Sequence, residues 1–136
     1  MKKVLCLAIL FAVAAPSAFA QDAGKTQIYY RPTNSQDVDM IALGDLVRQA
    51  IDDSRELELT PSQGDGIFEL DGPLKITKDA ARTKMTVTYE IAPGRGTERS
   101  YTATCAVTQM ERCADAMVLR AERTAREART APNRLF

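Results

Sequence analysis

Lys84-Met85-Thr86-Val87-Thr88-Tyr89-Glu90-Ile91 decides the fold. Its residues alternate strictly, with Met85, Val87, Tyr89 and Ile91 on one face and Lys84, Thr86, Thr88 and Glu90 on the other. A period of two marks a half-buried strand, because successive side chains leave a strand on opposite sides. Pro93-Gly94-Arg95-Gly96 then supplies turn chemistry. In the next run, Tyr101, Ala103, Cys105 and Val107 share a face opposite Ser100, Thr102 and Thr104. The two runs predict an antiparallel hairpin with one apolar face, which locates the core.

Downstream of the hairpin, Thr108-Gln109-Met110-Glu111 has the spacing of a capping box and predicts a helix start. Met110, Cys113, Ala114, Met117, Val118, Ala121 and Ala125 then recur at helical intervals to about Arg129, ahead of Pro132.

Upstream, Thr26-Gln27-Ile28-Tyr29-Tyr30-Arg31 is rich in strand formers and stops at Pro32. Alternation there puts one of the two adjacent tyrosines in the core and the other on the surface. Asp37 is a good N-cap for a helix whose inner stripe reads Met40, Leu43, Leu46, Val47, Ala50 and Ser54, with Ile41 and Ile51 at its margin. Asp37 and Asp39 suit the helix dipole. Asp52 and Asp53 at the far end do not, and read as a solvated helix end. Glu56-Leu57-Glu58-Leu59-Thr60 predicts a short strand, and Ile67, Phe68 and Leu70 begin another. Gly72-Pro73 interrupts that strand before Leu74-Lys75-Ile76 resumes it, so a bulge or an edge position is expected.

The first twenty residues read as a targeting segment. Lys2 and Lys3 precede an apolar run, residues 4–15, that is too short to span a bilayer, and Ala18-Phe19-Ala20 has the small-x-small pattern of a cleavage site. Cys6 lies inside the apolar run, which argues against a lipid anchor. Cleavage near Ala20 would leave about 116 residues from 136, enough for one domain with a real core. The expected location is the periplasm or the exterior, with no membrane span and a polar tail from about residue 130. Of 18 basic and 18 acidic residues, Lys2 and Lys3 leave with the leader, so the mature net charge is about −2. That balance argues against a nucleic-acid partner, which requires concentrated basic surface. The chain has no histidine, which excludes His-based triads, His general bases and His metal ligation.

Two cysteines remain after the leader, Cys105 and Cys113. In an oxidising compartment they are expected to pair and pin the helix start to the sheet. The closed loop is short, so the chain-entropy contribution is at most about 2–3 kcal/mol. Free buried thiols and a redox pair are the alternatives. The spacing is not Cys-x-x-Cys, and no His is present to activate a thiol.

The candidate contact residues are Arg120, Arg123, Arg126 and Arg129, which recur at steps of three along the last helix, and Arg95 at the hairpin tip. Such a stripe can dock an acidic partner or simply stay solvated, and Glu122 and Glu127 interrupt it. Neither Asp37-x-Asp39 nor Gln63-Gly64-Asp65-Gly66 has the ligand pattern of an EF-hand, and the 93–96 turn is not a phosphate loop. No cofactor, metal or catalytic residue is expected from the sequence.

The helix-to-strand stretch Leu46-Val47-Arg48-Gln49-Ala50-Ile51 through Leu57-Glu58-Leu59, then Gly66-Ile67-Phe68-Glu69-Leu70-Asp71-Gly72-Pro73-Leu74, resembles the small α/β domains of Gram-negative envelope proteins. These are the TolB N-terminal domain, the curli-secretion CsgG group and the LpoB-type lipoproteins. The resemblance implies an envelope role with another envelope protein as partner. The chain departs from that group by having no expected lipid anchor, attached propeller or pore-forming segment, and by its expected disulfide.

Together these readings give one α+β domain in the order β-α-β-β-β-β-α, a mainly antiparallel four- to five-stranded sheet with two helices on one face. The expected function is that of an exported, non-catalytic accessory or binding protein of unknown oligomeric state. The alternatives are a carrier of a small apolar ligand between helix and sheet, and an enzyme using carboxylates or a thiol.

Overall fold

The computed structural model describes residues 24–64, 66–94 and 98–130, without the Thr130 side chain. The leader with Cys6 and Ala20, Asp65, Arg95 at the hairpin tip and the tail after residue 130 lie outside the described residues. The elements are β1 Thr26–Arg31, α1 Val38–Asp52, β2 Leu57–Leu59, β3 Phe68–Lys78, β4 Lys84–Ala92, β5 Arg99–Ala106 and α2 Met110–Thr130, in the order read from the sequence.

The five strands lie in the order β2-β1-β3-β4-β5. β3, β4 and β5 pair antiparallel, whereas β1 pairs in parallel with both β2 and β3. The sheet is therefore mainly antiparallel, as expected, but mixed, with its parallel part at β1. Parallel neighbours ordinarily need a long crossover, yet residues 60–67 suffice between β2 and β3. The register explains this: Leu59, the last residue of β2, and Phe68, the first of β3, both pair with Ile28. β2 accompanies the first half of β1 and β3 the second half, so the connection crosses β1 without travelling back along it.

Both helices pack against each other and against the same side of the sheet, α1 over β2 and β3, α2 over β4 and β5. Ile28, Tyr30, Leu70, Met85, Val87, Tyr89 and Ile91 from the strands meet Leu43, Val47, Ile51, Cys113, Met117 and Ala121 from the helices in one core. Burying a side chain of this size stabilises by about 1.5–3 kcal/mol. Tyr30 is the core tyrosine and Tyr29 the half-buried one, as alternation requires. The inner stripe of α1 is turned relative to its expected phase: Ile51 is wholly buried, while Met40 is only half-buried and Ile41 is exposed.

Gly72-Pro73 produces the expected bulge, seen as a register shift against β4 between Asp71 and Lys75. The edge alternative does not hold, since β3 is the central strand. Gly72 has φ +149, and a Cβ there would lie 2.7 Å from the Tyr89 Cβ. Only glycine allows β3 to pass this close to β4. The Gly72 carbonyl accepts the Tyr30 hydroxyl, and burial raises the pKa of that hydroxyl so that it stays a donor.

At the start of the last helix, Thr108 lies inside a 3-10 turn, Val107–Gln109, instead of serving as the N-cap of a capping box. The chain reaches this turn through a backbone bond from the Val107 N–H to the Thr83 carbonyl. Ser54, read as the end of the α1 stripe, falls just beyond that helix. Its hydroxyl accepts the Glu56 and Leu57 N–H groups, each at 3.1 Å, and donates to Glu122 Oε2 at 2.6 Å. The turn after α1 is thereby tied to α2.

Candidate functional site

Of the residues singled out from the sequence, those that are described lie on the helix side and mostly serve the fold, while Arg95 is outside the described residues. Cys105 on β5 and Cys113 in α2 form a disulfide with a Cα–Cα distance of 5.5 Å, joining the helix to the edge strand it covers. Arg120 lies over the Tyr101 ring, 5.0 Å from its centroid, and Tyr101 stacks on Tyr89. Burial raises the Tyr89 pKa, with Arg120 opposing it. Arg126 pairs with Glu56, and Arg129 reaches both Glu56, at 3.8 Å, and the Gly24 carbonyl, at 2.6 Å. Three of the four stripe arginines thus have partners within the chain, and Arg123 is exposed.

Among the described residues, the opposite side of the sheet carries no helix. Alternation brings Gln27, Tyr29 and Arg31 of β1, Glu69 and Asp71 of β3, Thr86, Thr88 and Glu90 of β4, and Ser100, Thr102 and Thr104 of β5 to this face. Register sets them in rows. Arg31 pairs across to Asp71, Asp71 to Glu90, and Glu90 to Ser100. Glu98 precedes β5 two residues before Ser100, which places it diagonally beside Glu90.

Within this acidic centre the carboxylates differ sharply. Glu69 is 9% exposed and both of its oxygens are engaged: Gln63 Nε2 donates to Oε1 at 2.8 Å and Arg31 lies 3.2 Å from Oε2. Gln63 comes from the connection between β2 and β3. Asp71 is equally buried at 9%, but its Oδ1 has no hydrogen-bond partner, and the nearest cation, Arg31 Nε, stands 3.9 Å away. Burial raises the Asp71 pKa to about 7, helped by the Glu69 carboxylate beside it and opposed by Arg31. Asp71, Glu90 and Glu98 each place a carboxylate oxygen within 4.8 Å of the others. Ser100 donates to Glu90 Oε2 at 3.2 Å.

None of these acids stood out in the sequence. The available signal was the alternation of Phe68-Glu69-Leu70-Asp71, which sends both acids to the face opposite the core, and the same alternation for Glu90. What joined them was strand register. Asp71 and Glu69 are two closely placed, buried carboxylates on this face, but neither lines any of the grooves described for the chain.

Two further features bear on binding. A groove of about 340 Å³ at the end of α2 is lined by residues that include Thr26, Phe68, Pro93, Ala125 and Arg129. β5 forms one end of the sheet and pairs only with β4 among the described residues. Among the described residues no helix is long and apolar enough to cross a membrane. No protein-family model matches the chain, and no curated protein matches it.

Proposed function

We propose that this chain is an exported, non-catalytic accessory protein of the cell envelope that binds another envelope protein along β5. The observation that carries this reading is the open edge of an eight-residue strand, Arg99–Ala106, at the end of the sheet. Such an edge presents a row of backbone donors and acceptors to which a partner segment can add as a further strand. Its exposed Ser100, Thr102 and Thr104 present short polar side chains that leave the backbone accessible. The disulfide to α2 holds the edge rigid before binding, so little ordering entropy is lost on contact. The leader, the resemblance to envelope domains and the pairing of the two cysteines all support export to an oxidising compartment.

The test is affinity capture from envelope extract with the wild-type protein and a Thr102→Lys/Thr104→Lys double variant. Lysines on an edge strand oppose strand addition without entering the core. A partner retained by the wild type and lost by the variant supports the reading. A partner retained equally by both places the contact elsewhere, with the exposed Arg123 the next candidate. The alternative, a carrier of a small apolar ligand, draws on the groove beside Phe68, although Arg129 in its lining makes it poorly apolar.

A further inference from the structure

We propose that Asp71, Glu90 and Glu98 on the uncovered sheet face form a binding site for a calcium ion. The proposal is independent of the β5 contact and rests on two observations. The first is geometric. Three carboxylates from three different chain segments offer oxygens within 4.8 Å of one another. Calcium binds oxygens at about 2.3–2.6 Å, so oxygens on opposite sides of one ion stand up to about 5 Å apart. One ion can therefore touch all three carboxylates through rotamer adjustment alone.

The second observation is the state of Asp71. The residue is 9% exposed and its Oδ1 has no hydrogen-bond donor among the described residues. A buried acceptor without a partner is costly, more so when it is charged. The deficit is not a general property of this face, because the equally buried Glu69, two residues away, has both oxygens engaged by Gln63 and Arg31. Arg31 is shared between the two acids, 3.2 Å from Glu69 but 3.9 Å from Asp71. Among the described residues, Asp71, Glu90 and Glu98 concentrate negative charge, and the ion pair found with this group is that of Arg31 with Asp71 at 3.9 Å. A bound cation supplies the missing partner for Asp71 and screens Glu90 and Glu98 from it.

The donor set selects the ion. All three donors are carboxylate oxygens, the chain has no histidine, and Cys105 and Cys113 are joined to each other. That composition disfavours zinc and copper, which prefer nitrogen and sulfur. Magnesium demands a near-ideal octahedron, whereas calcium accepts an irregular shell completed by water. Glu98 is exposed, so one side of the ion would stay hydrated. Three carboxylates partly opposed by Arg31 correspond to the millimolar to submillimolar class of extracellular calcium modules.

Calorimetric titration of the EDTA-treated, full-length exported protein with calcium chloride tests this. The expected result is one ion bound with a dissociation constant of about 0.1–1 mM, and magnesium bound at least about tenfold more weakly. Glu98→Gln and Glu90→Gln, which alter side chains at the rim, are each expected to weaken binding at least about tenfold, and Asp71→Asn to abolish it. Glu58→Gln, on β2 outside the cluster, is the control and is expected to bind as the wild type does. No saturable binding up to about 10 mM, equal binding of magnesium, or undiminished binding by Glu98→Gln and Glu90→Gln would each overturn the proposal. If Asp71→Asn does not fold, the two rim variants decide. The readout involves no protein partner, so its failure is distinct from failure of the β5 contact.

Discussion

The two faces of the sheet handle buried polarity in opposite ways. On the helix side, Tyr30 donates to the Gly72 carbonyl and Ser54 makes three hydrogen bonds, one of which ties α1's end to α2. On the uncovered side, Glu69 and Asp71 are both buried, but only Glu69 has its oxygens engaged, by Gln63 and Arg31. The helix side is built for stability. The uncovered side retains charge at the cost of stability, and the difference teaches where a ligand would act: at the group whose needs the fold does not meet.

Gly72, where the two faces meet, gives the largest expected effect. Replacing it with Ala puts a Cβ 2.7 Å from Tyr89 Cβ and requires a side chain at φ +149. The expected loss is about 3 kcal/mol, or roughly 10–15 °C in Tm, measured by denaturant and thermal unfolding. Gly44→Ala is the comparison, since its Cβ would meet Tyr30 Oη at 3.5 Å, an ordinary contact, inside a helix. That change should be neutral or stabilising by up to about 1 kcal/mol. Equal costs for the two substitutions would show that the β3–β4 crossing is not the constraint.

Cys105→Ser/Cys113→Ser probes the helix side alone. The chain-entropy contribution of so short a loop predicts a loss of at most about 2–3 kcal/mol. If the faces are independent, the double variant should still bind calcium as the wild type does, by the same titration. Loss of calcium binding in a variant that remains folded would mean that the helix clamp also positions the acidic centre.

The helix face was legible because burial is written as local periodicity. Met85, Val87, Tyr89 and Ile91, the Cys105–Cys113 pair, and Cys113, Ala114, Met117 and Val118 could each be placed from a short window. The partners of β1 could not. Its place between β2 and β3 depends on which half of Thr26–Arg31 each strand occupies, and that is decided by packing across the whole sheet. The acidic centre was hidden for the same reason: Asp71 meets Glu90 and Glu98 only through the pairing of β3 with β4, although those two share the hairpin. The arginine stripe misled in a simpler way. Periodicity showed that Arg120, Arg126 and Arg129 lie along one side of α2, but not that Tyr101, Glu56 and Gly24 would meet them.

The smallest predicted effect isolates the uncovered face through pH. Asp71 faces Glu69, Arg31, Glu90 and Glu98, and its pKa in the folded chain is about 7 against an ordinary value of 3.8. Because the folded value is the higher one, the native state holds a proton that the unfolded chain releases between about pH 4 and 7. Stability attributable to this group is therefore fully present below about pH 4 and declines as pH rises toward 7. The limiting slope for one proton is about 1.4 kcal/mol per pH unit. A smaller slope is expected here, since Asp71 keeps some contact with solvent and Arg31 stands 3.9 Å away. Unfolding in EDTA, with no cation to replace the proton, should show Asp71→Asn gaining on the wild type as pH rises from 5 to about 7.5. The gain should reach about 1 kcal/mol, because the amide removes a charge that the fold leaves unpaired. Millimolar calcium should then stabilise the wild type and leave the variant unchanged, because an ion that binds only the folded chain adds to its stability by mass action. If the two proteins instead show the same pH profile in EDTA, Asp71 is solvated like an ordinary surface acid, and the contrast between the two faces disappears.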